Sequence, residues 1–342
     1  MSTKETLTKG GGAASTSQGL LTLLRVCQIV LALLLFSTVW YIGEFATMWP
    51  TPNAKPTNEE VEVEHLVHLN NVFETRGPNR YYVPDFDAAE TYLRTVNLTD
   101  GPLFVLLMSG ETNGTYWCAD CERAKGPVAD ALARAPANTR LLEVSVGTAQ
   151  DWHDDFNSFR SKSTFHIRKI PALLQYAGNL HTTRLISERF TLDTELLDFA
   201  FGTKGPAPRA VQTIRNVEAM TAYLDAYDGS HALFLSFTSG INSHTGRLWC
   251  PFCDIADLPL QYYFEQYAPP DAVMLRIVVA DSYGAWKNPK NPFRLQTAAR
   301  VTGLPTLSRV SRDAATKALA VREYTPFFEN RAELVAFFQA DK

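Results

Sequence analysis

The sequence predicts an α/β protein in which two copies of one domain, each a central mixed sheet flanked by helices, follow a single N-terminal transmembrane helix. Three observations carry this. Residues 26–43 read VCQIVLALLLFSTVWYIG, without a charge. Beyond them, short apolar runs of strand length alternate with segments of helical period, the pattern of a sheet covered by helices. Landmarks also recur at a nearly constant offset. Cys118 and Cys250 are 132 residues apart, as are Cys121 and Cys253; Trp152 and Trp286, Phe159 and Phe293, and Pro171 and Pro305 are each 134 apart. Repeats of this size are tandem domains, not solenoid units.

The apolar run is 18 residues long, or about 27 Å as a helix, close to one hydrocarbon core. Leu20 to Leu24 extend it if Arg25 snorkels, which predicts an anchor over 20–43. Lys4, Lys9 and Arg25 precede it, whereas Glu44, Glu59, Glu60, Glu62 and Glu64 follow. The positive-inside rule then places residues 1–19 in the cytosol and the bulk of the chain in a lumen (endoplasmic reticulum or Golgi) or outside the cell. A cleaved signal peptide and a buried soluble helix are the alternatives; the leader is long and no A-x-A-like site follows. Cys27 reads as an apolar residue within the run. Residues 44–65 mix Pro, Asn and Glu as a stalk would. The two domains are then expected over 66–204 and 205–342. Sequons at Asn97 and Asn113 suit a luminal, glycosylated domain.

Each copy runs in one order. A short strand (RYYV; AVQTI) precedes a helix (DAAETYLRTV; NVEAMTAYLDAY) and a buried strand (PLFVLLMS; ALFLSFTS). A Gly-bearing loop leads to Trp-Cys-x-x-Cys, which opens a second helix containing Pro127 or Pro259, where a shared kink is expected. A further apolar strand (RLLEVSV; AVMLRIVVA) precedes the Trp–Phe segment, and two more strands and a last helix close the copy.

Composition narrows the function. The length of 342 residues suits about two domains, and the 46% hydrophobic and 20% charged shares are ordinary for globular material. A net charge of −4 carries no basic footprint for nucleic acid. Four of the five cysteines form the two C-x-x-C pairs, so cysteine is spent on sites and not on staples. A first cysteine at a helix N-terminus gains thiolate character from the unpaired N–H groups there. The second, one turn on, can resolve a mixed disulfide. Cys118 and Cys250 are therefore the expected attacking thiols, Cys121 and Cys253 the resolving ones, with no cofactor beyond the redox-active disulfides. A shared four-cysteine zinc site would need two domains to meet face to face, and only His244 lies near either motif; a fold-only remnant without turnover is the other alternative. Asp120 beside the first thiolate predicts that Cys118 is the less acidic nucleophile.

Trp-Cys-x-x-Cys, followed after 53 residues (118 to 171) or 55 residues (250 to 305) by Ile170-Pro171 or Leu304-Pro305, resembles the thioredoxin superfamily. The long loops SGETNGTYWC and SGINSHTGRLWC, with WHDDFNSFR and WKNPKNPFR before the proline, look like the branch typified by thioredoxin domain-containing protein 17. The resemblance covers about residues 66–342 and implies tandem thioredoxin-like domains with disulfide-reductase relatives. It implies that Trp117 and Trp249 shield the dithiols. It also implies that Pro171 and Pro305 are cis and present the backbone of Ile170 and Leu304 to substrate. Two departures stand out. The dipeptides are Ala119-Asp120 and Pro251-Phe252 where the branch has Pro-Asp. Neither buried strand carries the acid that thioredoxin has beneath its dithiol.

The expected function is thus a membrane-anchored thiol–disulfide oxidoreductase. It would act on disulfide-containing proteins or small molecules, with an unnamed thiol as electron donor. A luminal module that holds thiol proteins with little turnover is the alternative.

Overall fold

The computed structural model describes residues 73–340, apart from 163, 296–298, 326, 327 and 329. The expected cytosolic tail, anchor over 20–43 with Cys27, and stalk lie outside these residues. Among the described residues no helix is long and apolar enough to cross a membrane. All the described elements fall within one compact unit, Leu66–Lys342.

The first copy runs β1 (Glu74–Gly77), β2 (Arg80–Val83), α1 (Phe86–Thr95), β3 (Leu103–Met108), β4 (Glu111–Thr112), β5 (Thr115–Tyr116), α2 (Ala119–Arg134), β6 (Arg140–Ser145), α3 (Ala149–His153), α4 (Ser158–Ser161), β7 (Ala172–Gly178), β8 (His181–Ser187) and α5 (Thr194–Ala200). The second runs β9 (Ala210–Ile214), α6 (Val217–Ala226), β10 (Leu233–Thr238), α7 (Pro251–Tyr267), β11 (Val273–Val278), α8 (Tyr283–Lys287), α9 (Pro292–Leu295), β12 (Thr306–Arg312), β13 (Leu319–Glu323) and α10 (Arg331–Gln339).

The strand orders are β1-β2-β6-β3-β7-β8 and β9-β11-β10-β12-β13. In both sheets the first three strands of the shared pattern run parallel and the last two antiparallel. The sheets are mixed, as expected. Every residue of β3 and of β10 is buried, because a central strand has its neighbours on both edges and is covered on both faces. Matched caps set the helix starts. Asp85 and Asn216 accept from the third residue of α1 and α6, and Asp193 and Asn330 do the same for α5 and α10. Each such cap is worth about 1 kcal/mol.

Three features differ from the expected order. Strand β1 adds an edge to the first sheet, through a tight turn in which Gly77 and Asn79 take φ of +155° and +55°. The β4–β5 hairpin lies inside the loop before the first Cys pair. The Trp–Phe segments hold pairs of short helices that bury Trp152 and Phe159 in one copy and Trp286 and Phe293 in the other. Arg160 and Arg294 then cover the two indoles at 5.9 and 5.2 Å, which explains the repeated W-x6-F-R spacing. Pro127 and Pro259 both lie inside their helices.

The domains share a core. Along β10, Leu233, Leu235 and Phe237 pack with Trp286 and Phe293, while Phe234 points the other way, to Phe264 and Phe338. That second layer is continuous with the core of the first domain. At its rim Tyr263 donates to Asp193 at 2.7 Å, Tyr262 and Tyr267 donate to Glu195, and Arg331 pairs with both carboxylates. Helix α7, which begins at the second Cys pair, is therefore also the main seam between the domains.

Candidate functional site: two dithiols on one compact unit

Each Cys pair is built from the same few contacts. Strands β3 and β10 end in Ser-Gly, Ser109-Gly110 and Ser239-Gly240. The glycines are required by close approach. A Cβ at Gly110 would stand 2.7 Å from the Gly147 carbonyl, and one at Gly240 only 2.9 Å from the Ala280 carbonyl. The serines hold the first cysteine of each pair, because Ser109 Oγ accepts from the Cys118 N–H and Ser239 Oγ from the Cys250 N–H, both at 3.2 Å. Cys118 and Cys250 are the N-cap residues of α2 and α7, with Pro251 in the first turn of the second helix.

The thiols behave as unlike members of a pair. Cys118 is half-buried and Cys121, Cys250 and Cys253 are buried; none is in a disulfide. The hydrogen bond from the Cys121 thiol is the main influence that holds Cys118 down to about 6, with help from the Cys121 and Asp120 backbone, against burial and the Asp120 charge. Cys250 is held down to about 7, first by the Cys253 thiol and then by backbone N–H groups, again against burial and against Asp254. Cys121 is pushed up by its bond to Cys118 and by burial, Cys253 by burial and then by Cys250.

Both first thiols are held down, Cys118 to about 6 and Cys250 to about 7, which leaves the expectation that Cys118 is the less acidic nucleophile without support. Asp120 does act in the expected direction, but it is the smallest of the named influences and its carboxylate pairs with Arg123. The second site has its own opposing charge in Asp254, and its nucleophile is the more deeply buried, at 6% exposure.

The residues singled out by sequence come together. The Cys118 thiol lies 3.9 Å from the Ile170 carbonyl and the Cys250 thiol 3.9 Å from that of Leu304. The Ile170-Pro171 and Leu304-Pro305 bonds are both cis. Trp117 and Trp249 are tied down through their indole N–H groups, which donate to Gly147 at 2.8 Å and Ala280 at 2.9 Å. Both anchors fix the loop that carries the nucleophile. Among the described residues no group of three or more His, Cys, Asp or Glu side chains could hold a metal ion.

Three positions escaped sequence reasoning. Glu143 is 1% exposed and ties the first site from behind, where it accepts from Tyr116 and pairs with Arg76 at 3.0 Å and Arg80 at 2.7 Å. Arg276 fills the matching place in β11 and pairs with Asp257 at 2.7 Å, so the charge is reversed between copies. The third position is Arg247, in the loop before the second pair. Its guanidinium binds Asp254 at 3.0 Å and donates to the Phe165 and His166 carbonyls of the first domain. Only the repeated Ser-Gly was legible as a signal, in MSG and TSG.

With this geometry in view, the relatives can be placed. The sequence model of the thioredoxin domain-containing protein 17-like thioredoxin domain matches residues 82–202 and 213–324, more than half of the chain. The chain belongs to the thioredoxin domain-containing protein 17-like family. It carries the family's domain twice. The thioredoxin-like protein Clot of Oryza sativa subsp. japonica is 31% identical over 117 residues, 30% of this chain and 83% of that protein. Thioredoxin domain-containing protein 17 of Mus musculus is 29% identical over 89 residues, 25% of this chain and 71% of its own. Among solved structures, ERdj5 form II matches with a TM-score of 0.26 and 12% identity, over 83% of this chain and only 32% of that one. The zinc-bound form of human ERp44 matches with a TM-score of 0.22 and 12% identity, over 75% of this chain and 60% of that one.

Proposed function

We propose that this family member is a thiol–disulfide oxidoreductase with two dithiol sites, Cys118/Cys121 and Cys250/Cys253. The observation that carries the reading is the split within each pair: an N-cap thiol held down to about 6 or about 7 beside a buried partner pushed up. At neutral pH Cys118 is then largely, and Cys250 about half, the thiolate that attacks a disulfide, while the second thiol of each pair keeps its proton until the mixed disulfide has formed. Trp117, Trp249, Ile170, Pro171, Leu304 and Pro305 would border the incoming substrate. Substrates would be disulfide-bearing proteins or small molecules, and a separate thiol would return the electrons. The uncharged run over 26–43 supports a membrane anchor, with residues 66–204 and 205–342 as the two domains in a lumen or outside the cell.

A second reading draws on one half of that split. Both resolving thiols are buried and pushed up, which slows their deprotonation and lengthens the life of a mixed disulfide. The protein would then hold clients instead of turning them over. Turnover of insulin disulfides with a thiol donor separates the two. The oxidoreductase reading expects activity that falls in Cys118→Ser and in Cys250→Ser and vanishes when both are changed. No turnover in the parent protein, together with persistent insulin adducts, favours holding.

A further inference from the structure

The two C-x-x-C motifs each contribute their second intervening residue, Asp120 and Phe252, to the wall of one groove. Its volume is about 1200 Å³. The first domain also supplies Lys169, just before the Ile170-Pro171 bond; the second supplies Leu304, Pro305 and Phe328. We propose that this groove is a client-binding site shared by both dithiols, and that its occupant is an extended segment of a disulfide-bearing polypeptide. The proposal rests on the oxidoreductase reading above and names its substrate class.

Size and lining select the occupant. Small-molecule sites run to about 300–1,000 Å³ and enclose most of their ligand. This groove is larger, and its lining from both domains mixes apolar and charged side chains. Phe252 stands 64% exposed on the first turn of α7, although nothing in the fold needs an aromatic ring in water there. Ile255, Leu304 and Phe328 add apolar surface from the second domain, which also brings Glu323 and Arg331, while Lys169, Glu188 and Asp120 charge the first-domain wall. Lys169 and Glu188 pair at 2.6 Å, which keeps that wall polar without a strong net sign. A polypeptide offers both an apolar side chain and polar backbone at such a site. The groove is also part of a rigid frame, since Arg247 and the Asp193/Glu195 cluster hold the domains together.

The covalent step follows ordinary exchange. The Cys118 thiolate forms a bond to one client sulfur and expels the other as a thiolate, which takes a proton from water. The Cys121 thiol then loses its proton, attacks Cys118, and releases the second client sulfur. The client gains two electrons and the protein is left with the Cys118–Cys121 disulfide. Reduction of that disulfide by an external dithiol restores the site.

The test asks whether a residue of the second motif controls capture at the first. In the full chain carrying Cys27→Ser, Cys121→Ser, Cys250→Ser and Cys253→Ser, mixed-disulfide formation at Cys118 is timed with insulin and with the small disulfide DTNB. The same proteins are titrated with carboxymethylated insulin B chain, which has no reactive sulfur. Adding Phe252→Asp is expected to lower the insulin-to-DTNB rate ratio five- to tenfold and to weaken B-chain binding by a similar factor. Phe252 is exposed, so the variant keeps the fold, and Phe252→Leu is expected to recover most of both. If Cys118 captures insulin and Phe252→Asp moves neither the ratio nor the affinity, the shared groove is wrong while the oxidoreductase reading survives. If Cys118 reacts with neither disulfide but B-chain binding still falls in Phe252→Asp, the thiol chemistry fails and the groove stands.

Discussion

Arg247 offers the sharpest test of how the two sites are joined. It is 5% exposed and Asp254 is 6% exposed, so Arg247→Met withdraws the positive member of a buried ion pair and two hydrogen bonds to first-domain carbonyls. Breaking such a pair from one side costs about 3–5 kcal/mol. At roughly 2–4 °C per kcal/mol for a folded unit of this size, the melting temperature should fall by about 6–20 °C. The same change alters the chemistry. Asp254 lies four residues after Cys250 on α7, and side chains at that spacing are about 6 Å apart. With an effective dielectric constant between about 20 and 80, its charge is worth roughly 0.7–2.8 kcal/mol at the thiolate, or about 0.5–2 pH units once Arg247 no longer offsets it. Alkylation of Cys250 against pH, in a background with Cys118 and Cys121 changed to Ser, should show the midpoint moving up by that amount. Arg247→Met with Asp254→Asn should bring the midpoint back to that of the parent or below it, because Asp254 already opposes the thiolate there, and recover part of the lost stability. A melting temperature within about 2 °C of the parent, together with an unmoved midpoint in Arg247→Met, would refute the coupling.

In the parent protein, alkylation midpoints should lie near 6 for Cys118 and near 7 for Cys250, both below the usual thiol value of about 8.5. Because the Cys121 thiol is the largest influence on Cys118, Cys121→Ala should raise the first midpoint toward that usual value, read in the same assay. Ser239→Ala removes the acceptor for the Cys250 N–H and should cost about 1 kcal/mol, measured by denaturant unfolding, with slower alkylation of Cys250 at a fixed pH. Asn113 is exposed at the β4–β5 turn with φ of +53° and Asn97 is exposed too, so expression through a secretory pathway should give an endoglycosidase-sensitive mobility shift that Asn113→Gln reduces and Asn113→Gln with Asn97→Gln abolishes.

Much of this architecture could be read from residue order, and the reasons are physical. Strand β3, LFVLLM, is buried on both faces, so its apolar run stands out without its neighbours, and β10 repeats it. The dithiols were legible because a reactive pair needs a strand end, a loop and a helix start in fixed succession. The two X-Pro bonds were legible only through resemblance to a family. Short elements were not. Helices α4 and α9 are four residues each and are set by the burial of Phe159 and Phe293, which carries no period. Long-range polar contacts were equally silent. Nothing near Arg247 in the chain announces Phe165, 82 residues away, as its partner. The balance of charge around the two first thiols was hidden for a related reason. Asp120 is visible beside Cys118, but the burial of Cys250 and the orientation of Asp254 exist only in the fold.

The most direct test of the central claim is a redox titration of each dithiol in the full chain. Cys118→Ser/Cys121→Ser isolates the second pair and Cys250→Ser/Cys253→Ser the first, with the thiol–disulfide ratio read by alkylation and mass after equilibration in dithiothreitol or glutathione buffers. Two separate, reversible two-electron transitions, one from each variant, are the predicted result. A pair that stays as two free thiols across the whole range, or that gives up its thiols only when a bound metal is removed, would contradict it.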